Sequence, residues 1–261
     1  MKGPNLIQSP SRDHYRICVS PSLLDILYNA AGSALDDCPS LFEARNEALP
    51  QISARCRTFV FNLWIDYLFC HGLAHIDCGH LSYNNQIREW PEIIYSPPAE
   101  RNLDAYTYKR LEVDADSRAA QFSLARFARH WLPVAHEMYR QPSTHIALSD
   151  FLSAIILLFR HLGDLRASAE IAAEVYPQPI DRAIIFLSCC EDHYSKLTRL
   201  PPLSAPERES LFGIRLAESY VDALGTNRLQ CLLSAIDTTT LSASAARLTR
   251  QLELKRLGDK S

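Results

Sequence analysis

Glycine is scarce in this chain, with 8 glycines among 261 residues, about 3% against a usual ~7%. That scarcity excludes glycine-rich phosphate-binding loops, collagen-like repeats and all-β folds that are dense in turns. Hydrophobic residues make up 47% of the chain, enough for one substantial core or two small ones. Between the proline-rich boundaries, the apolar residues recur at helical period. The sequence therefore predicts a mostly α fold.

The chain also lacks a large net charge of either sign. It has 27 Lys and Arg against 30 Asp and Glu, which gives a net charge of −3 at pH 7. Nucleic acids and anionic membranes attract proteins that carry a basic face. We therefore expect neither a nucleic-acid partner nor a membrane partner.

Membrane-length hydrophobic runs and cysteines at metal-site or disulfide-scaffold spacing are absent as well. The most apolar segment, Phe151 to Phe159, is followed at once by Arg160 and is shorter than the ~20 residues that cross a bilayer, so it predicts a buried helix. The N-terminal residues carry Pro, Ser and charges where a secretory signal needs about 7–15 apolar residues. The eight cysteines lack the spacing of a zinc ribbon or a disulfide scaffold. We therefore expect free thiols and a cytoplasmic protein.

Helical periodicity and turn residues divide the chain into segments. We predict an irregular lead-in over residues 1–19 and an extended excursion over 82–110, with a short strand near residues 92–95. The predicted helices cover residues 21–35, 41–50, 51–81, 111–140, 150–162, 165–175, 180–197, 207–224 and 226–257. Residues 1–145 would carry the candidate site, and residues 146–261 would form a helical C-terminal region packed on it as one structural unit.

Single residues set the predicted helix boundaries. Ser40 and Ser149 are expected to cap helices, because a serine hydroxyl can accept a hydrogen bond from the first-turn N–H groups. Pro50 and Pro133 are expected to end or kink helices, since proline lacks the N–H that continues the ladder. Gly163 is expected to stop the apolar helix.

Two histidines on the predicted helix over residues 51–81 have the spacing of zinc ligands. His71 and His75 are four residues apart, which places both imidazoles on the same helix face, about one turn apart. This spacing also occurs by chance. The alternative is that both histidines are partly buried members of a core face.

A second predicted helix supplies two carboxylates with the same spacing. Glu112 and Asp116 lie one turn apart at the start of the helix over residues 111–140. Catalytic zinc is commonly held by two His and one Glu, and a further carboxylate can orient a ligand imidazole through its other ring nitrogen. The alternative is that acids in a first turn interact favourably with the helix dipole.

These stretches resemble the HExxH zinc metallopeptidases of the gluzincin kind that carry an ExxxD helix, most closely the bacterial phage-exclusion (Lit-like) peptidases. The matching text is HGLAHIDCGHL at 71–81 and LEVDADSRAAQFSL at 111–124, with a weaker match in YPQPIDR at 176–182, where related peptidases have a His-Pro…Arg turn. The resemblance implies a zincin-like helical metallopeptidase domain with one zinc ion. Its ligands would be His71, His75 and Glu112, with Asp116 behind them and with His80 and Arg182 as substrate-contacting or structural residues.

The sequence departs from this family at the catalytic base. Gly72 stands where the family has the Glu that takes a proton from zinc-bound water. Loss of a positioned base typically lowers the rate by roughly 10²–10⁴-fold. Three interpretations stay open: a degenerate pseudopeptidase, an altered copy of an active enzyme, or a site in which another group is the base.

Three residues near the motif are candidates for a substitute base. Asp77 points to a different helix face, and Asp114 lies roughly opposite Glu112 on its helix. On a helix that continues to residue 81, His80 would lie about 13 Å along the axis from His71. The sequence thus predicts a zinc-binding, metallopeptidase-like protein that is impaired or inactive as a hydrolase. The alternative is a non-enzymatic helical protein-interaction module, with a role in phage defence implied by the resemblance alone.

Overall fold

Helices make up most of the described chain in the computed structural model. The structure describes residues 5–11, 14–37, 50–80, 89–91, 105–138, 144–168, 176–208 and 211. Its helices are α1 (Pro21–Asp37), α2 (Pro50–Asp77), α3 (Ala105–Arg126), α4 (Leu132–Met138), α5 (Thr144–Ser168), α6 (Pro179–Thr198) and α7 (Ala205–Arg208). The prediction of a mostly α fold is confirmed, and the zincin-like fold stays a prediction.

A small antiparallel sheet combines two strands that precede α1 with one that follows α2. Strands β1 (Asn5–Ser11) and β2 (His14–Val19) form a hairpin, and β3 (Glu89–Pro91) pairs with the other edge of β1. The irregular lead-in predicted for residues 1–19 is therefore wrong. The alternation of Tyr15, Ile17 and Val19 with polar or small residues in β2 is the period-two pattern of a half-buried strand. The strand predicted near residues 92–95 lies outside the described residues.

The first two helices begin where their sequences supply initiation signals. In α1, the Ser20 hydroxyl accepts a hydrogen bond from the Leu23 N–H at 3.2 Å, and Pro21 occupies the first helical position, where its missing N–H costs nothing. Pro50 likewise begins α2, and the helix from Ser40 that it was predicted to end or kink lies outside the described residues.

The helix α2 ends four residues earlier than predicted. Its last residue is Asp77, and Gly79 adopts a left-handed conformation with φ 71°. Glycine enters this region without steric cost, so it is the usual residue just past a helix end. The N–H groups of Cys78 and Gly79 donate to the carbonyls of Ala74 and Ile76 at 2.9 and 3.0 Å, which closes the turn and reverses the chain.

The next helical segment starts earlier than predicted and is interrupted. The helix α3 begins at Ala105, inside the stretch that was predicted to be extended. A π-helical segment, Phe127–Trp131, links it to α4, and the Leu132 N–H donates to the Phe127 carbonyl. Pro133 has no N–H to continue an α-helical ladder, so the predicted disturbance at Pro133 is real, and its form is a widened turn just before the proline.

The apolar helix α5 runs without a break through Gly163. The predicted stop at Gly163 and the predicted cap at Ser149 are both wrong. A Cβ atom at Gly163 would meet the ring of Pro179, the first residue of α6. Gly163 is therefore a close-packing position between two helices. Residues 169–175, the rest of the separate helix predicted after it, lie outside the described residues.

The helix α5 is long and apolar enough to cross a membrane by length and composition. The stretch Thr144–Leu165 has a mean hydropathy of 1.6, and 78% of its most apolar window is buried inside the protein. The buried helix predicted over Phe151 to Phe159 is confirmed, although the helix is longer than expected. Its apolar surface is covered by neighbouring helices, as in the core helix of a globular fold.

One hydrophobic core joins the helices on both sides of the predicted boundary at residue 145. Buried side chains from α1, α2 and α3 pack with those of α5 and α6 in a single cluster. The Trp64 indole N–H donates to the Ala154 carbonyl at 2.6 Å, and Tyr67 packs edge-on against Phe159 and Phe186. This core holds α2 against α3 and brings α6 to the same place.

Candidate metal centre

Two helices bring the four predicted site residues into one buried cluster. His71 and His75 lie on α2, and Glu112 and Asp116 lie on α3. Each pair is one turn apart on its helix, so both pairs face the interface between the helices. The most exposed of the four, Glu112, has only 2% of its surface accessible. The predicted zinc-site residues are therefore brought together.

The donor atoms of His71, His75 and Glu112 have the spacing that a small cation requires. The distance from His71 Nε2 to Glu112 Oε2 is 3.7 Å, and that from His75 Nε2 to Glu112 Oε1 is 3.6 Å. One ligand atom from each residue lies within 4.8 Å of the other two. Ligand atoms bound to zinc at about 2.1 Å in a tetrahedron lie about 3.4 Å apart. These three buried residues could bind a metal ion, and two imidazoles with one carboxylate fit Zn²⁺ well.

Burial sets the charge state of His75. Desolvation lowers the pKa of the His75 imidazole well below its usual value, and the neighbouring His71, His80 and Arg182 lower it further. His75 is therefore neutral at neutral pH. A neutral imidazole presents the nitrogen lone pair that a metal ion needs, so His75 can bind a metal ion without first losing a proton.

Asp116 is held by a buried network that reaches α6. Arg182 donates to both carboxylate oxygens of Asp116, at 2.8 Å from Nε and 2.5 Å from Nη2, and the Tyr67 hydroxyl donates to Oδ1 at 3.0 Å. Burial alone would raise the pKa of Asp116, but Arg182 and the hydrogen bond with His71 outweigh it, so the pKa lies well below its usual range. Arg182 thus has a structural contact in the site.

The contact between Asp116 and His71 differs from the predicted one. The sequence predicts that Asp116 contacts a ligand histidine through the ring nitrogen that does not face the metal. In the structure, Asp116 Oδ1 lies 3.2 Å from His71 Nε2, the nitrogen that also faces Glu112. Asp116 therefore lies beside the candidate ligand atoms and adds negative charge there. Both of its oxygens already accept hydrogen bonds from Arg182.

His80 contacts the site from the side opposite Glu112. Because α2 ends at Asp77 and Gly79 reverses the chain, His80 Nδ1 lies 2.8 Å from His75 Nδ1. The prediction that His80 lies about 13 Å from His71 along the axis of a continuous helix is therefore wrong. The other His80 nitrogen, Nε2, lies 2.9 Å from Asp114 Oδ2. The Asp-Cys-Gly sequence before His80 was the available signal, since glycine at that position indicates a helix end.

None of the three candidate substitute bases lies on the ligand face among the described residues. Asp77 is on the exposed side of α2, where Arg118 donates to it at 2.8 Å. His80 and Asp114 lie behind His75. Gly72 is buried next to His71 and contributes no side chain. The described part of the chain therefore has no carboxylate at the position where the resemblance expects a general base.

Cysteine chemistry does not compete with this site. The described cysteines, which are Cys18, Cys56, Cys70, Cys78, Cys189 and Cys190, all carry free thiols as predicted. Burial raises the pKa of Cys70 and Cys78 to about 12, with nearby Asp side chains adding to the shift. Both thiols keep their protons at neutral pH, whereas a nucleophilic cysteine needs a lowered pKa.

The segment 176–182, which carries the weaker sequence match, also contacts α3 through Tyr176. The hydroxyl of Tyr108 on α3 donates to that of Tyr176 at 3.3 Å, and both rings are buried. Tyr176 stands where the resembling peptidases have a histidine.

Comparisons with protein-family models, curated proteins and solved structures found no match for this chain. What the site can do therefore follows from its own donor atoms.

Proposed function

We propose that this chain is a zinc-binding, metallopeptidase-like protein with little or no hydrolytic activity. The observation that carries the proposal is the buried set of two imidazoles and one carboxylate, with donor atoms 3.6 and 3.7 Å apart across two helices. When bound, zinc would lower the pKa of its water and polarise a carbonyl group. His71, His75 and Glu112 would hold the ion and join α2 to α3.

The low activity follows from the residues around the ion site. Arg182 neutralises Asp116, so that carboxylate is a poor proton acceptor. Gly72 has no side chain to take a proton from the attacking water or to return it to the leaving amine. We therefore expect peptide hydrolysis to be slower by about 10²–10⁴-fold than in the same site with a positioned base. The protein substrate and a role in phage exclusion stay predictions from the resemblance, and the cytoplasmic location stays a prediction from the composition and cysteine pattern of the sequence.

A second candidate function is protein interaction without catalysis. A groove of about 470 Å³ lies between β2 and α2 and is lined by apolar side chains, among them Tyr15, Val19 and Phe69. These three are 44%, 38% and 44% exposed. Exposed apolar side chains that line a groove favour contact with another molecule. Under this alternative, zinc is a structural tie or is not bound at all.

The metal content of the purified protein tests the proposal. We expect about one zinc per chain by mass spectrometry, and its loss in His75→Ala. The matched control is His136→Ala, because His136 is an exposed histidine on α4. Circular dichroism checks that both variants keep their helices. Absence of zinc from the unaltered chain, or its retention in His75→Ala, would refute the proposed metal site.

Restoring the missing base separates a dormant peptidase from a structural site. Gly72→Glu places a carboxylate where the family has one, and Gly72→Gln has nearly the same shape but cannot accept the proton. We expect zinc-dependent cleavage of an unfolded protein substrate with the Glu variant only. If the Glu variant binds zinc and stays inactive, the peptidase-like part of the proposal fails and the structural role of zinc remains.

A further inference from the structure

Three residues form a hydrogen-bonded chain that ends at a candidate zinc ligand. Asp114 Oδ2 lies 2.9 Å from His80 Nε2, and His80 Nδ1 lies 2.8 Å from His75 Nδ1. The two imidazole rings meet edge to face, at 70° and 4.9 Å between centroids. His75 and His80 are buried, at 0% and 2% exposed. The remaining nitrogen of His75, Nε2, faces Glu112 at 3.6 Å.

The chemistry of this chain determines where its protons lie. A carboxylate only accepts hydrogen bonds, so Asp114 requires the proton of neutral His80 to sit on Nε2. The lone pair of His80 is then on Nδ1. Since two Nδ1 atoms at hydrogen-bond distance need one donor and one acceptor, His75 carries its proton on Nδ1. That assignment leaves the lone pair of His75 on Nε2, the atom aimed at the ion site.

We infer that His80 and Asp114 are positioning residues, which hold His75 in the tautomer and ring orientation that bind metal. This inference rests on the proposed function, because it assigns a role toward the same ion. Groups that hydrogen-bond the outer nitrogen of a ligand histidine fix its tautomer and raise its basicity. Here two residues share that role: His80, which contacts His75 directly, and Asp114 on α3, which contacts His80.

The local backbone explains why His80 can reach His75. An α-helix that continued through residue 80 would carry His80 away from His75. Gly79 ends the helix with its positive φ, and the chain turns back over the last turn of α2. Although His80 is five residues after His75 in sequence, the turn brings the two side chains to hydrogen-bond distance. The turn is thus part of the positioning device.

A rival interpretation uses the same residues as a second ion site. Cys78, His80 and Asp114 each offer one ligand atom within 4.8 Å of the others. The 2.9 Å separation of His80 Nε2 and Asp114 Oδ2 is the length of a direct hydrogen bond. The donors of the first set are farther apart, at 3.6 and 3.7 Å, as ligands around one ion are. The distances therefore favour a hydrogen bond at Asp114.

The affinity of the full chain for Zn²⁺ tests the inference, measured by competition with a chromophoric chelator. We expect His80→Leu to weaken binding by about 10–100-fold, the usual effect of removing such a partner. His80→Asn should restore most of the affinity, because its amide oxygen can accept from His75 Nδ1. His193→Leu is the matched control, since His193 hydrogen-bonds the Cys189 carbonyl on α6, away from the site, and its affinity should be unchanged.

A second variant and a spectroscopic probe cover the case in which His80→Leu fails to fold. Asp114→Ala keeps His80 but removes its acceptor, so zinc affinity should fall in the same direction. The visible spectrum of bound Co²⁺ should change in Asp114→Ala and stay unchanged in His193→Leu. Equal affinities of His80→Leu and the unaltered chain would overturn the positioning role while leaving the metal site intact.

Two further outcomes would also overturn the inference. If His80→Asn binds as weakly as His80→Leu, then the role of His80 is packing and not tautomer control. If the chain binds two ions and Cys78→Ser loses one of them, then Cys78, His80 and Asp114 form a second metal site. A chain that binds no zinc at all refutes the proposed function itself, and this inference falls with it.

Discussion

Asp116 and Arg182 place two full charges inside the core, beside the candidate ion site. Arg182 is 1% exposed and Asp116 is 0% exposed, and the Arg182 guanidinium also lies over the Phe159 ring at 5.0 Å. Removing water from two charges is costly, and the attraction between them offsets that cost only when both partners are present. The stability of the core therefore depends on both charges, and replacing one partner alone should lower it.

We expect Asp116→Asn to destabilise the protein by about 3–5 kcal/mol, because Arg182 is then buried without a countercharge. Arg182→Met should cost a similar amount. The double variant should be less destabilised than the sum, since neither charge remains. Urea unfolding of the zinc-free protein measures all three, and strictly additive losses would contradict the pairing.

The acid limb of the stability profile gives an independent check of the same pair. The folded-state pKa of Asp116 is lowered, so its contribution to stability is fully present above the unfolded-state pKa of about 3.9. It is lost as the pH falls through that value toward the folded-state pKa. Asp116→Asn should lack this part of the acid-induced decrease.

Sequence spacing predicted that His71 and His75 share one helix face and that Glu112 and Asp116 share another, because residues four apart on a helix lie on the same side. The assignment of these residues to one metal site came from the resemblance. The orientation of Asp116 toward His71 Nε2 depends on Arg182 and Tyr67, which reach it through tertiary packing. No local pattern contains that information.

At the scale of elements, sequence patterns predicted the helices better than their ends. The predicted cap at Ser149 and the predicted stop at Gly163 are wrong, and Pro50 begins a helix. Proline both starts and breaks helices. Glycine ends α2 at Gly79 through a positive φ, but at Gly163 it lies within α5 and permits the close approach of α6.

The substitution Gly163→Ala tests this packing role. Alanine favours a helix by about 1 kcal/mol over glycine, so a free helix position would gain stability. Here the added methyl group would press on the Pro179 ring, and overpacking of this kind costs about 1–3 kcal/mol. We expect a net loss of stability in urea unfolding. The comparison is Gly32→Ala on α1, where the added atom would lie 3.2 Å from the Arg57 side chain and not against a proline ring. A gain in stability at Gly163 would contradict the close contact.

At the scale of the whole molecule, the candidate metal centre depends on both predicted regions. The ligands come from α2 and α3, whereas Arg182 comes from α6, which is packed on α5 and α3. This arrangement could not be read from the sequence, because helix periodicity gives the buried face of each helix but not its neighbour. The single core includes described helices from both sides of residue 145.

A metal ion that ties α2 to α3 should stabilise the entire fold. Free Zn²⁺ at about 100 times its dissociation constant adds about 2.7 kcal/mol, which corresponds to a rise in Tm of about 5–10 °C for a protein of this size. A chelator should reverse the rise, and Mg²⁺, which prefers oxygen ligands, should not produce it. Differential scanning fluorimetry measures the shift. The same rise in His75→Ala would show that zinc acts elsewhere.

Asp116 and Arg182 are 66 residues apart in sequence, so the ribosome adds them to the chain at different times. At about 5–20 residues per second, the arginine is made roughly 3–13 seconds after the carboxylate that it neutralises. Until then, α2 and α3 can meet only with an unbalanced negative charge between them. The candidate ligands are therefore synthesised before the core can close around them, and α6 completes the site when it follows.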